Sequence, residues 1–514
     1  MSRTADALPG ERLVALVVAS LDDLAGVAEA SSIAGRLTVD QLRSDLDAIA
    51  AHIVLSSFPG SPVALDPNLA EVLIRAVQPA DIQSPISSNT ALRVAAVIRA
   101  LSNRGTPELA VPLIERAVEV LGGEISPEPP VAAIWLTGGL ALQLLHQYRE
   151  AFGLFGRAAA TNNADYIRYL ALGYLALGFA LSGDLPRVQT PAEAALALIG
   201  KHGWPAHQNR IPIFAALVLM NVGLLRLDEA RRSLVALNEV LESAEPQWRF
   251  AALEVQVQFW CLAGEAEVVV GHLEQALLGF ELATASLAVR AQISYSTALV
   301  ELFLGHPGAS IAATSPFADL PAHQLCFETL RAFGYLAFGM PREALVAIES
   351  CVALGHSHSK SSAPNIPLIR AASAHLLGDR EGARHRFGEW MSATESAGYA
   401  SAALLPSSLL AGLLESGDSS PLPDSVKRLT EQSPNGLDAV FVSLGTLTSA
   451  ERSLLTQLRT PGTLDDIASN TFTSRNTVKS HLRSISSKLG VSSRAEAVDV
   501  AEVAGWFALA EGRP

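Results

Sequence analysis

Along the first four-fifths of the chain, apolar runs of helical length recur between short polar turns. Examples are LVALVVASLDDLAGVAEA, VAAIWLTGGLALQLL and LALGYLALGFALSG. Each run closes on a small residue or Gly, passes a short polar turn and reopens as an Ala-containing helix. The turns are NRGTPELA around Gly105, HQYREAF around Tyr148, LSGDLPR around Gly183 and LRLDEARRSL around Asp228. CLAGEAE around Gly264, FLGHPGAS around Gly305, AFGMPREAL around Gly339 and LLGDREGARHRF around Gly378 continue the series. Successive turns stand about 35 to 45 residues apart, the period of stacked helical hairpins. In such a unit Gly ends the first helix by accepting a left-handed conformation, and Asp or Pro opens the second.

The pattern predicts an all-α fold, an α-solenoid of helical hairpins over residues 1–414. The segment 11–90 is helical in pattern too (VDQLRSDLDAIAAHIVL, NLAEVLIRAV) and adds one or two hairpins. Around residue 415 the rhythm stops. ESGDSSPLPDS is rich in Ser, Pro and Asp and reads as the start of a linker over 415–444. A compact unit, 445–514, follows.

Four short helices are legible in that unit from their caps. Thr448 and Glu451 form a capping box ahead of Leu454, Leu455 and Leu458. Thr463 precedes a helix with Asp465 and Asp466 in its first turn, Ser474 caps a third, and Ser493 with Glu496 opens the last. In the third helix Val478, Leu482, Ile485 and Leu489 form one apolar stripe. At roughly 100° per residue, Asn476, Lys479, Ser480, Arg483 and Ser487 fall on the opposite side, with Arg475, His481 and Lys488 on the flanks. One face locks into a small core. The other offers long cations and small hydrogen-bonding groups, as a helix lying in a DNA major groove requires.

Composition sharpens this division. The 514 residues are 49% apolar but only 6% aromatic, a mix that favours helix over sheet. Net charge is −14. From Gly445 onward eight Lys and Arg face seven Asp and Glu, a net of +1, which leaves −15 for the rest (−14 less +1). Between Asn470 and Ala495 there are five cations and no acid, so a polyanion meets attraction on this surface and repulsion elsewhere. Cys261, Cys326 and Cys351 are too few and too scattered for a disulfide framework, which suits a reducing cytoplasm. No signal peptide is legible at the N-terminus, and the apolar runs are shorter than the roughly 20 residues of a membrane span.

The string TVKSHLRSISSKLGVSSRAEAV is similar to the LuxR-type helix-turn-helix. It keeps Thr477, Val478, Lys479, His481, Leu482, Ile485, Lys488, Leu489, Gly490, Val491, Arg494 and Ala497 of that pattern; Leu447, Thr448, Glu451, Leu455, Ile467 and Ala468 fit upstream. Ala450, Thr473, Asp465 and Asp466 depart from it. The resemblance implies a regulator that binds double-stranded DNA, with Lys479, Ser480 and Arg483 at base edges. Arg475, Thr477, His481 and Lys488 would serve phosphates or orientation. It also implies a homodimer on DNA, paired through Val500, Val503, Ala504 and Trp506 of the fourth helix. The repeats resemble tetratricopeptide-like arrays, as in MalT-like regulators but without their ATPase module, and offer a surface for an effector or protein partner.

Other candidates are weaker. GHSHSKSS carries His356, His358 and Lys360 but lacks the Gly of a phosphate loop and further metal ligands. Asp22 and Asp23 follow an apolar run as in a phosphoacceptor domain, yet capping of a helix accounts for them. No G-x-x-x-x-G-K-[ST] occurs. The expectation is therefore a regulator that is not an enzyme, with no cofactor, no metal and no membrane partner. The alternative is a helical-repeat scaffold or adaptor with a vestigial DNA-binding module.

Overall fold

The computed structural model describes residues 9–122, 128–244, 246–277, 287–317, 326–354, 364–416, 423–431 and 434–510. Among these every regular element is a helix. They divide into two compact units, Met1–Leu217 with Val235–Glu245, and Val218–Leu234 with Pro246–Pro514. The DNA-binding candidate thus shares a unit with the later repeats.

The repeat has a backbone signature. Gly105, Gly183, Gly264, Gly305, Gly339 and Gly378 all take φ between 62° and 82°, as expected from the sequence. At the two turns without Gly, His146 (φ 59°) and Leu225 (φ 55°) occupy the same position. In every case the following N–H reaches back five residues to a carbonyl: Thr106 to Leu101, Gln147 to Leu142, Asp184 to Phe179, Arg226 to Asn221, Glu265 to Trp260, His306 to Glu301, Met340 to Tyr335 and Asp379 to Ala374. This is the Schellman ending, which satisfies carbonyls that a helix terminus would leave open.

In the first unit the segment read as helical, 11–90, includes the helices Pro9–Ser20, Leu46–Leu55 and Pro67–Ala76. Close packing of hairpins is visible at Gly139, where an added Cβ would lie 2.6 Å from the Phe155 ring. Asp22 and Asp23 do not serve their own helix. Asp22 accepts from the amide of Asp165 at 2.8 Å, at the start of helix Asp165–Leu181, and Asp23 accepts from Trp204 Nε1 at 3.1 Å.

In the second unit the repeat hairpins run through Leu287–Phe303, Pro307–Thr314, Phe327–Ala337 and Asn365–Leu376 to Ser407–Ser416. The stretch read as a linker is structured where described. Helices Asp424–Glu431 and Leu437–Ser443 bury Val426, Leu437, Val440 and then Leu444. Asp438 accepts from the amides and hydroxyls of Ser407 and Ser408 at 2.6 to 3.0 Å, capping the last repeat helix. Burial alone would raise its carboxyl pKa; the Ser407 and Ser408 bonds outweigh that and hold it below the ordinary carboxylate value. The Ser, Pro and Asp of 415–425 carry no information on the apolar positions that follow. The histidines of GHSHSKSS and residues 417–422 lie outside the described residues.

No helix among the described residues is long and apolar enough to cross a membrane, and none of their His, Cys, Asp and Glu side chains cluster as a metal site.

Candidate nucleic-acid interface

The C-terminal module consists of helices Ser449–Leu458, Leu464–Asn470, Arg475–Leu489, Arg494–Val503 and the short Trp506–Ala510. All four expected caps are present. Thr448 and Glu451 exchange the two bonds of a capping box, as do Thr463 and Asp466, while Ser474 accepts from Thr477 N and Ser493 from Glu496 N. The long helix ends at Gly490 with φ 67°, where the chain turns to the next helix.

Within Arg475–Leu489, Val478 and Ile485 are buried, and Leu482 and Leu489 pack half-buried against the same core. That core holds Leu454, Leu455, Ile467 and Ala468 of the two preceding helices. The opposite face is open: Arg475, Asn476, Thr477, Lys479, Ser480, Arg483 and Ser487 are all exposed, and His481 is half-buried. Thr477 is partly committed, its hydroxyl 2.8 Å from that of the cap Ser474. Arg475 Nε stands 3.5 Å from Asp465, a pair exposed on both sides and hence weak.

Lys488, expected to serve phosphates or orientation, is engaged within the module: its ammonium donates to Glu451 at 2.7 Å and to the carbonyl of Thr446 at 3.0 Å. Glu451 also accepts from Ser484 and from the Thr448 amide. Its burial opposes ionisation, but the bonds from Lys488, Ser484 and Thr448 outweigh that and lower its carboxyl pKa to about 2. Arg494 is likewise structural, donating to the carbonyls of Leu458, Thr460 and Gly462 at 2.6 to 2.9 Å.

The module is not free-standing. Its core includes Ile311 and Phe338 of the repeats, with Val440 and Leu444 of the supposed linker. Arg452 donates to the carbonyls of Phe338, Gly339 and Gly445 at 2.9 to 3.2 Å. Gly339 cannot be replaced quietly, since a Cβ there would lie 2.3 Å from the Gly445 carbonyl oxygen. Gly308 donates to the carbonyl of Ala504 at 2.9 Å, and a Cβ on it would meet Gly505 O at 2.1 Å. The Trp506 ring lies edge-on to Phe338 with centroids 5.4 Å apart, and its Nε1 donates to Thr456. Nothing in the sequence flagged Arg452 or Gly308, because an Arg in a surface pattern and a Gly in a turn are both unremarkable there.

These contacts bear on the fourth-helix residues expected to pair two copies. Ala504 and Trp506 are 3% and 5% exposed, covered by this chain's own repeats, while Val503 is 66% exposed and Val500 is half-buried.

A capped helix-turn-helix with one cationic face open is the arrangement that enters a major groove. Residues 445–501 match the bacterial regulatory proteins of the luxR family. The module is a LuxR-type DNA-binding domain, and a role in transcription regulation follows from it. No curated protein matches the chain.

Proposed function

We propose that this protein is a sequence-specific LuxR-type transcription regulator whose helical repeats control the DNA-binding module through direct contact. The observation that carries the reading is the open face of Arg475–Leu489, which presents Asn476, Lys479, Ser480 and Arg483 together while Val478 and Ile485 anchor it. Lys479 and Arg483 read base edges, Asn476 suits adenine, and Arg475 with the helix N-terminus holds phosphate. Two copies on related half-sites form the bound state.

Control by an effector is supported by the docking. A cleft of about 670 Å³ is lined by Glu328, Arg331, Tyr335, Arg342, Glu343 and Ser350, among others. Tyr335 also packs against the module core. A ligand or partner that moves Tyr335 thereby changes how Phe338 and Gly339 meet Arg452. Pairing through the fourth helix uses Val500 and Val503 as they stand, or requires Trp506 to leave Phe338.

The test is capture of genomic fragments by the purified chain, followed by mobility shifts on the enriched duplexes. Lys479→Ala and Arg483→Ala are expected to abolish the specific shift with helicity unchanged. Undiminished binding by both variants would remove the groove assignment, and absence of any enrichment would favour a scaffold role.

A further inference from the structure

We propose that Phe472, in the turn between Leu464–Asn470 and Arg475–Leu489, is an apolar DNA-contact residue that recognises a thymine methyl group. Its side chain is 97% exposed, the largest exposure of any big apolar residue among those described. Its backbone takes φ 50°, and the next amide, Thr473 N, reaches back five residues to Ala468 O at 2.9 Å. This is the same Schellman ending that closes the repeat helices, where the left-handed position is Gly six times. A bulky residue rarely adopts that conformation.

The other non-glycine residues with positive φ have local reasons. Leu225 is buried, His146 is half-buried with Nδ1 3.2 Å from the Tyr148 hydroxyl, and Asn163 belongs to a type that tolerates left-handed backbone. Phe472 has none of these. Its ring contributes almost nothing to the core, and Gly would relieve the backbone. A strained backbone carrying an unburied aromatic ring is a cost without a return in the folded chain, and such positions concentrate where a ligand is bound.

The surroundings identify the ligand. Residues 472–477 form a continuous exposed run that leads into the open cationic face, with Arg475 three positions on and Lys479 seven. From Asn470 to Ala495 the sequence has no acid. A polyanion drawn to Arg475, Lys479 and Arg483 brings its groove edge to the turn that starts the helix. The apolar feature that edge offers is the C5-methyl of thymine, a known partner for Phe in major-groove recognition.

The proposal rests on the DNA-binding reading above, and the experiment separates the two. Duplexes are selected from a random pool with the full chain, and each thymine of the preferred duplex is replaced by deoxyuridine in turn. At one thymine per half-site, loss of the methyl should weaken binding of the wild-type chain about fivefold. Phe472→Gly should bind the parent duplex about fivefold more weakly and be indifferent to that replacement, while melting at a higher temperature than wild type. Phe472→Asn should behave in the same way. If Phe472→Gly selects the same duplex with unchanged affinity, or shares every deoxyuridine penalty with wild type, the assignment is overturned. Should Lys479→Ala and Arg483→Ala lose binding in that case, the groove reading survives and Phe472 alone falls. If the chain selects no duplex, both fall.

Discussion

Arg452 Nη2 donates to the carbonyl oxygen of Phe338 at 2.9 Å, joining residues 114 apart in sequence. The same nitrogen reaches Gly339 O and Gly445 O, so one guanidinium fastens a repeat turn to the first helix of the DNA-binding module. Arg452→Ala leaves three carbonyls without their charged donor at a half-buried site. The expected loss is about 2 to 3 kcal/mol of unfolding free energy. Hydrogen exchange should quicken at Gly308, whose amide bonds to Ala504, more than within the Arg475–Leu489 helix.

Gly308 offers an independent way to part the same surfaces. Its α-carbon faces the Gly505 backbone so closely that any side chain must push the module away. Gly308→Val is expected to expose the Trp506 indole, now 5% exposed, and to red-shift its fluorescence. If docking restrains pairing on DNA, the variant will also bind the selected duplex more tightly than wild type. A red shift with unchanged DNA affinity would uncouple docking from regulation.

Acid stability should depend on Glu451. Its ordinary carboxyl value of 4.5 is lowered to about 2 in the folded chain, so the folded state binds the proton less readily than the unfolded one. The group therefore stabilises the fold fully above about pH 4.5, and the contribution is lost as pH falls towards 2. The size is on the order of 3 kcal/mol. Glu451→Gln should lower the melting temperature at neutral pH and flatten its decline between pH 4.5 and 2. Thermal melts across that interval, for both proteins, measure the difference.

Much of this was legible beforehand, for physical reasons that differ by residue. The turn glycines could be read because left-handed backbone restricts residue type, and Thr448, Thr463, Ser474 and Ser493 because caps need a side-chain oxygen. The stripe of Val478, Leu482, Ile485 and Leu489 could be read because burial imposes a period. Long-range partners were not. Lys488 sits on the flank of its helix, and only the fold decides that Glu451, 37 residues earlier, is within 2.7 Å. The helices around Val426 and Leu437 were hidden by neighbouring Ser and Pro, and Ala504 and Trp506 found cover within their own chain. Phe472 was passed over because a single Phe in a polar stretch shows neither its φ nor its exposure.

Lys479 and Lys488 provide the sharpest comparison, since both stand on one helix and both match the family pattern. Lys479 is exposed on the open face, whereas Lys488 is tied to Glu451 and Thr446 O. A cation that displaces counterions from DNA contributes about one unit to the slope of log affinity against log salt. Lys479→Ala should therefore abolish the specific shift and reduce the slope of the remaining sequence-independent binding by about one, with little change in melting temperature. Lys488→Ala should leave the slope unchanged while it strands the Glu451 carboxylate, at a cost of about 2 to 4 kcal/mol in stability. Binding titrations at several salt concentrations, paired with denaturant unfolding, separate the two residues. A reduced slope for Lys488→Ala would mean that its ammonium leaves Glu451 for a phosphate when DNA binds.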